Sequence, residues 1–224
     1  WTYDNEPLTM AITSTTSGVT DGSTTNDLGI ELTFTSSKAT ADFIASDITV
    51  SGGTLSDFIA TSSTVYTATF APSAAAGETV ATTIDVAASK FTDTAGNNNL
   101  AAIQFNWTYD NVPPTIAITS TTSGVTDGST TSDASLALMF TSSKATNDFI
   151  ATDISVTNGS ISNFFGSGTT YTATFTPTAA GATTIDVAGS VFTDVVGNNN
   201  SAATQFNWTY DNEPLTMAIT STTS

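Results

Sequence analysis

Carboxylates are the one chemically versatile side-chain type this chain carries in number. Twenty Asp and Glu stand against three lysines, Lys38, Lys90 and Lys144, with no arginine, histidine or cysteine, and the formal net charge is −17. That inventory removes most catalytic designs, because no Ser-His-Asp triad, thiol nucleophile, zinc cluster or arginine clamp can be assembled from it. Paired carboxylates can hydrolyse glycosides, but here the acids fall at turns with no cleft signal around them, so no enzyme is expected. What carboxylates do well in numbers is hold a hard cation, and calcium takes six to eight oxygens at about 2.3–2.6 Å. The same charge speaks against nucleic acid as a partner, since phosphate neutralisation needs clustered Lys and Arg. No apolar run is long enough to span a bilayer, so direct membrane insertion is not expected.

The acids are not scattered. Asp21 recurs as Asp127, Asp27 as Asp133, Asp42 as Asp148, Asp47 as Asp153, Asp85 as Asp186 and Asp93 as Asp194, with a linker series Asp4, Asp110 and Asp211. The recurrence follows an internal repeat. Trp-Thr-Tyr-Asp-Asn begins at Trp1, Trp107 and Trp208, and the segment Trp208–Ser224 matches Trp1–Ser17 letter for letter. We therefore divide the chain into residues 1–106, residues 107–207 and the start of a third repeat at 208–224, a window on a longer tandem array.

The elements that position the acids follow from a two-residue apolar period, which is the strand signature. In the first repeat the runs are Leu8/Met10/Ile12, Leu28/Ile30/Leu32/Phe34, Ile48/Val50, Leu55/Phe58, Tyr66/Ala68/Phe70, Val80/Ile84/Val86 and Ile103/Phe105/Trp107/Tyr109. Turn signals separate them at Asp21-Gly22, Gly52-Gly53, Pro72 and Gly96-Asn97, and a short helical turn is expected near Asp42–Ser46. Seven short strands in about 100 residues predict an all-β chain of tandem immunoglobulin-like β-sandwiches, end to end. The second repeat is shorter only between Phe164 and Tyr171 and between Pro177 and Asp186, where surface connections are expected.

Alternating loops in such a sandwich send the acids to its two ends. Asp21 and Asp27 are expected where the last strand leaves, and Asp42, Asp47 and Asp93 where the chain enters. Two stacked repeats then gather Asp21, Asp27, Asp110, Asp148, Asp153 and Asp194, with Asp4, Asp93, Asp127, Asp133 and Asp211 as the counterparts at the neighbouring seams. Bare carboxylates near 4 Å repel by ~1 kcal/mol per pair in water, and a calcium ion reverses that sign. The plainer reading stands beside it: Asp-Gly is an ordinary turn pair, Asp27 can close a local turn, and no D-x-D-x-D-G loop is present. Lys38 and Lys144 are read as exposed, paired with Asp42 or Asp47 and its counterpart, with a Lys–Asn crosslink as the rival. Trp107 is expected to close the core, the rival being packing on Pro113 and Pro114.

The string Thr83-Ile84-Asp85-Val86-Ala87, Phe91-Thr92-Asp93, Gly96-Asn97-Asn98-Asn99, Gln104-Phe105 and Trp107-Thr108-Tyr109-Asp110-Asn111 resembles the bacterial immunoglobulin-like repeats of giant surface adhesins and related repetitive exported proteins. It recurs from Thr184 to Asn212. The resemblance implies an extracellular, cell-surface spacer that holds a terminal binding domain away from the cell, and several members are stiffened by calcium. Neighbouring repeats are the implied partners, with self-assembly into a fibre as an extension. Absent cysteine fits a bacterial exported protein. A second class remains, a carbohydrate- or ice-binding module, because Thr67/Thr69 and Thr172/Thr174 can present a flat hydroxyl face.

Overall fold

Side chains that alternate apolar and polar can satisfy a sheet only if one face is covered, so each sheet here needs a second. The computed structural model of the chain describes residues 3–220, and the chain divides into two units, Trp1–Val112 and Pro113–Ser224. In unit 1 the strands are β1 (Met10–Ser14), β2 (Ser23–Thr25), β3 (Ile30–Ser36), β4 (Ile48–Ser51), β5 (Gly53–Ala60), β6 (Val65–Pro72), β7 (Thr79–Val86) and β8 (Phe105–Asp110). They form one sheet in the order β1-β3-β6-β5 and another in the order β2-β8-β7-β4. Unit 2 repeats this with β9 (Ile116–Ser120), β10 (Ser129–Thr131), β11 (Leu136–Thr146), β12 (Ile154–Thr157), β13 (Gly159–Pro177), β14 (Gly181–Val187) and β15 (Phe206–Tyr210), in sheets β9-β11-β13 and β10-β15-β14-β12.

Each unit is the immunoglobulin-like sandwich that the pattern predicts. In unit 1 the first strand is divided: β1 pairs antiparallel with β3, the chain crosses over at Val19, and β2 pairs parallel with β8 in the other sheet. Ser23-Thr24-Thr25 carries no apolar residue, so its strand left no mark in the alternation. Two residues assigned to inward runs, Leu28 and Ile103, lie just before β3 and β8 and are exposed. The helical turn falls at Ala45–Asp47.

The sequence repeat and the folded unit are out of phase. A boundary before Trp107 cuts through β8 and parts Trp107–Asp110 from the β7 residues they pair with, Thr79–Thr82, whereas the compact unit runs on to Val112. Trp107 is buried in the core with Phe34, Phe70 and Ile84, and its Nε1 donates to Thr25 Oγ1 at 3.1 Å, so core closure is the correct reading of this side chain. Trp208 does the same with Thr131. Of the third-repeat segment, Trp208–Tyr210 belongs to β15, residues 211–220 form no strand, and 221–224 lie outside the described residues, as do Trp1 and Thr2. Leu215 and Met217 are exposed there, while Leu8 and Met10, at the same repeat positions, are buried against their sheet.

Candidate functional site

The acids are organised by two loops at the end where the chain enters each sandwich, the β3–β4 and β7–β8 connections. Asp93 is the centre of the second. Its Oδ1 accepts the Ala95 and Asn97 amides, both at 2.9 Å, and its Oδ2 accepts Asn97 Nδ2 at 2.9 Å. The side chain is buried, and the Asn97 side chain and amide hold its carboxyl well below the usual range, at about 2. A carboxylate that accepts several N–H bonds behaves this way because those donors favour its charged form. Asp194 has the same place in unit 2, with Val196 and Asn198 as donors. There burial pushes the carboxyl up, but Asn198 and Lys144 outweigh it and the net direction is down.

Asp42 joins the two loops. It accepts the Thr92 amide at 3.0 Å and the Thr92 and Thr40 hydroxyls at 2.9 and 2.7 Å, and Asp148 meets Thr193 and Thr146 in the same way. Burial raises both carboxyls, and these bonds bring them net below their ordinary value. Asp47 and Asp153 accept the amides of Ile44 and Ile150, closing the helical turns. Asn99 is not ionisable and works through its carboxamide. Buried, it accepts the Lys90 and Phe91 amides and donates to the carbonyls of Ala87 and Leu100. Asn200 repeats this pattern. The recurrent Gly-Asn-Asn-Asn string was the available signal, and its meaning is loop construction.

Lys38 does not pair with Asp42 or Asp47. Its Nζ lies 2.7 Å from Asp4 and 3.4 Å from Asp93, because the β3–β4 loop turns it toward the segment ahead of β1 and not along its own loop. Lys144 likewise reaches Asp194 at 3.1 Å. Hydrogen bonding to Asp4 holds Lys38 above its ordinary pKa.

The remaining acids are apart. Asp21 accepts the Asn106 amide at 2.7 Å, beside the start of β8, whereas Asp27 binds the Thr25 hydroxyl near its end. Because β2 runs parallel to β8, the three-residue strand separates two carboxylates that the loop count had put together. Asp127 and Asp133 repeat the arrangement with Asn207 and Thr131. Asp4, Asp110 and Asp211 each accept the amide two residues on, from Glu6, Val112 and Glu213. Among the described residues no group of three or more acids converges in a way that can hold a metal. Within a unit both oxygens of Asp42, Asp93, Asp148 and Asp194 already accept N–H and O–H bonds.

A shallow groove of about 440 Å³ runs between β1 and residues 101–105, lined by Met10, Ile12, Ile103, Phe105 and Asp21. Its one carboxylate is engaged by Asn106, so no acid–base pair faces it. No helix among the described residues is long and apolar enough to cross a membrane.

Among solved structures, InvD of Yersinia pseudotuberculosis aligns over 96% of this chain and 62% of its own at 14% identity, with a TM-score of 0.35. The C-terminal domain of the Streptococcus agalactiae polypeptide BspA aligns over 91% and 100% at 8% identity, TM-score 0.44. Invasin, described as a bacterial integrin-binding protein, aligns over 86% and 39% at 16% identity, TM-score 0.40. The chain thus spans about three fifths of InvD's length. No curated protein matches it significantly. Residues 4–109 and 110–210 each match the bacterial Ig-like domain, and the chain belongs to that family as two tandem copies.

Proposed function

We propose that this chain is a spacer segment of an extracellular bacterial surface adhesin or filament, built to provide length. The observation that carries the reading is the tandem repetition of one sandwich, each copy with its own core and loop network. Supporting it, no buried side-chain polar atom among the described residues lacks a partner, so the interiors hold no polar group in wait for a ligand. A stalk needs this self-sufficiency, because neighbouring modules of a quasi-linear array contribute only nearest-neighbour terms. Chains of two, four and six repeats test it by small-angle scattering: the maximum dimension should rise by ~35–45 Å per repeat, from strands of about seven residues at ~3.3 Å plus loops. Collapse to a constant dimension refutes it.

Calcium enters this proposal at the joins between repeats only, where the recurrence of Asp4, Asp110 and Asp211 motivates it. Excess calcium against EDTA, read by scattering, decides: an unchanged dimension removes calcium from the proposal. A second reading, a glycan- or ice-binding face, is favoured by one feature. Thr13, Thr33 and Thr67 stand in register across β1, β3 and β6 on the side of the sheet away from the core. Ice-recrystallisation and glycan-array measurements on the chain test it, and the absence of both activities refutes it.

A further inference from the structure

The segment Asp4-Asn5-Glu6-Pro7 ahead of β1 is exposed along its whole length, so packing does not hold it. It is nevertheless fastened at several points. Lys38 Nζ reaches Asp4 Oδ1 at 2.7 Å, Asp4 Oδ2 at 2.9 Å and the Glu6 carbonyl at 2.6 Å, while also facing Asp93 Oδ2. Asn97 Nδ2 lies 3.3 Å from the Asp4 carbonyl, and Leu100 donates its amide to the Leu8 carbonyl at 2.8 Å. Lys38 is thus held from below by a buried carboxylate whose other oxygen is occupied by backbone amides, and from above by the segment itself.

We propose that Lys38, seated on Asp93, is a clasp that fastens this leader to the β3–β4 and β7–β8 loops, so that an ion pair and not a metal sets the direction in which the chain enters the sandwich. Charge-assisted bonds are about twice as strong as neutral ones, and three acceptors around one ammonium fix its position better than a single exposed pair. Both Asp4 oxygens are taken by the lysine, which competes with any cation for them. The base of the clasp recurs in unit 2 as Lys144, Asp194 and Asn198, and the Asp-Asn-x-Pro leader recurs at 110–113 and 211–214. The inference does not depend on the spacer reading.

The absence of cysteine makes a clean test available. Nitroxides at Asn5→Cys and Ala60→Cys in the full chain report the leader against the edge strand β5 by pulsed electron resonance. The expected result is one narrow distance distribution at neutral pH, the same in EDTA and in excess calcium. Asp4→Asn and Lys38→Met should each spread it toward the roughly 10 Å range of a free four-residue tether, with the Leu100 amide exchanging about tenfold faster. Asp4→Asn leaves the Lys38–Asp93 base intact, so it decides the matter even if Lys38→Met unfolds unit 1. A distribution that stays narrow in Asp4→Asn, or that is narrow only with calcium, overturns the proposal. Scattering length per repeat is not read here, so failure of the spacer reading leaves this result standing, and the reverse.

Discussion

Replacing Asn99 by Ala should destabilise unit 1. The carboxamide satisfies four backbone groups at once, the Lys90 and Phe91 amides at 2.7 and 3.2 Å and the Ala87 and Leu100 carbonyls at 2.8 Å each. A buried backbone group left unpaired costs about 1–3 kcal/mol. Lys90, Ala87 and Leu100 lie at the exposed rim and can rehydrate, which leaves the Phe91 amide as the main loss, about 2 kcal/mol. For a domain of about 100 residues each kcal/mol lowers the melting temperature by about 4–8 °C, so differential scanning calorimetry should show a fall of roughly 8–16 °C in the unit 1 transition. Asn200→Ala should do the same to unit 2. Asn98 is exposed and is the internal control, with Asn98→Ala expected within about 0.5 kcal/mol of the parent. If Asn99→Ala melts no lower than Asn98→Ala, the side chain does not organise the loop.

Other consequences are more local. A Cβ at Gly53 meets Phe70 Cζ at 2.3 Å and the Ala71 carbonyl at 2.4 Å, so Gly53→Ala should cost about 1–3 kcal/mol in urea unfolding, and an unchanged midpoint refutes the close approach. Thr82 Oγ1 donates to the Trp107 carbonyl at 2.8 Å in the core, and Thr82→Val should cost about 1 kcal/mol. A neutral result there means that the carbonyl has another donor. Acid should unfold the chain through its loops. Asp4, Asp42, Asp93, Asp148 and Asp194 all sit below their ordinary pKa when folded, Asp93 at about 2. Such groups bind protons more readily when unfolded, so their stabilisation is complete above about pH 4 and is lost as pH falls toward 2. Melting temperature followed from pH 6 to pH 2 should drop across that window and less steeply in Asp93→Asn. Equal slopes contradict the assignment.

The sandwich was legible because its core follows a simple period: Ile30, Leu32 and Phe34 alternate inward, as do Tyr66, Ala68 and Phe70. The two connections where the repeats differ in length join β5 to β6 and β6 to β7 in unit 1, as surface loops should. The parallel strand β2 escaped notice because its three residues are all hydroxylated and its contribution is backbone pairing. Its presence is what moves Asp21 away from Asp27. Lys38 was placed on a polar loop but given the wrong partners, since residues near in sequence were preferred to Asp4 and Asp93, 34 and 55 positions away. Carboxylate recurrence is legible in the sequence, whereas the amide and hydroxyl donors that fold around the anions are not.

Calorimetry of the full chain in EDTA and in excess calcium tests most directly whether these carboxylates are satisfied within their own units. With Asp4, Asp110 and Asp211 replaced by Asn to remove the carboxylates of the joins, the expected result is two superimposable unfolding profiles. An ion bound inside a unit at a hundred times its dissociation constant adds about 2.7 kcal/mol, and an upward shift of that size on adding calcium contradicts the internal networks described for Asp42, Asp93, Asp148 and Asp194.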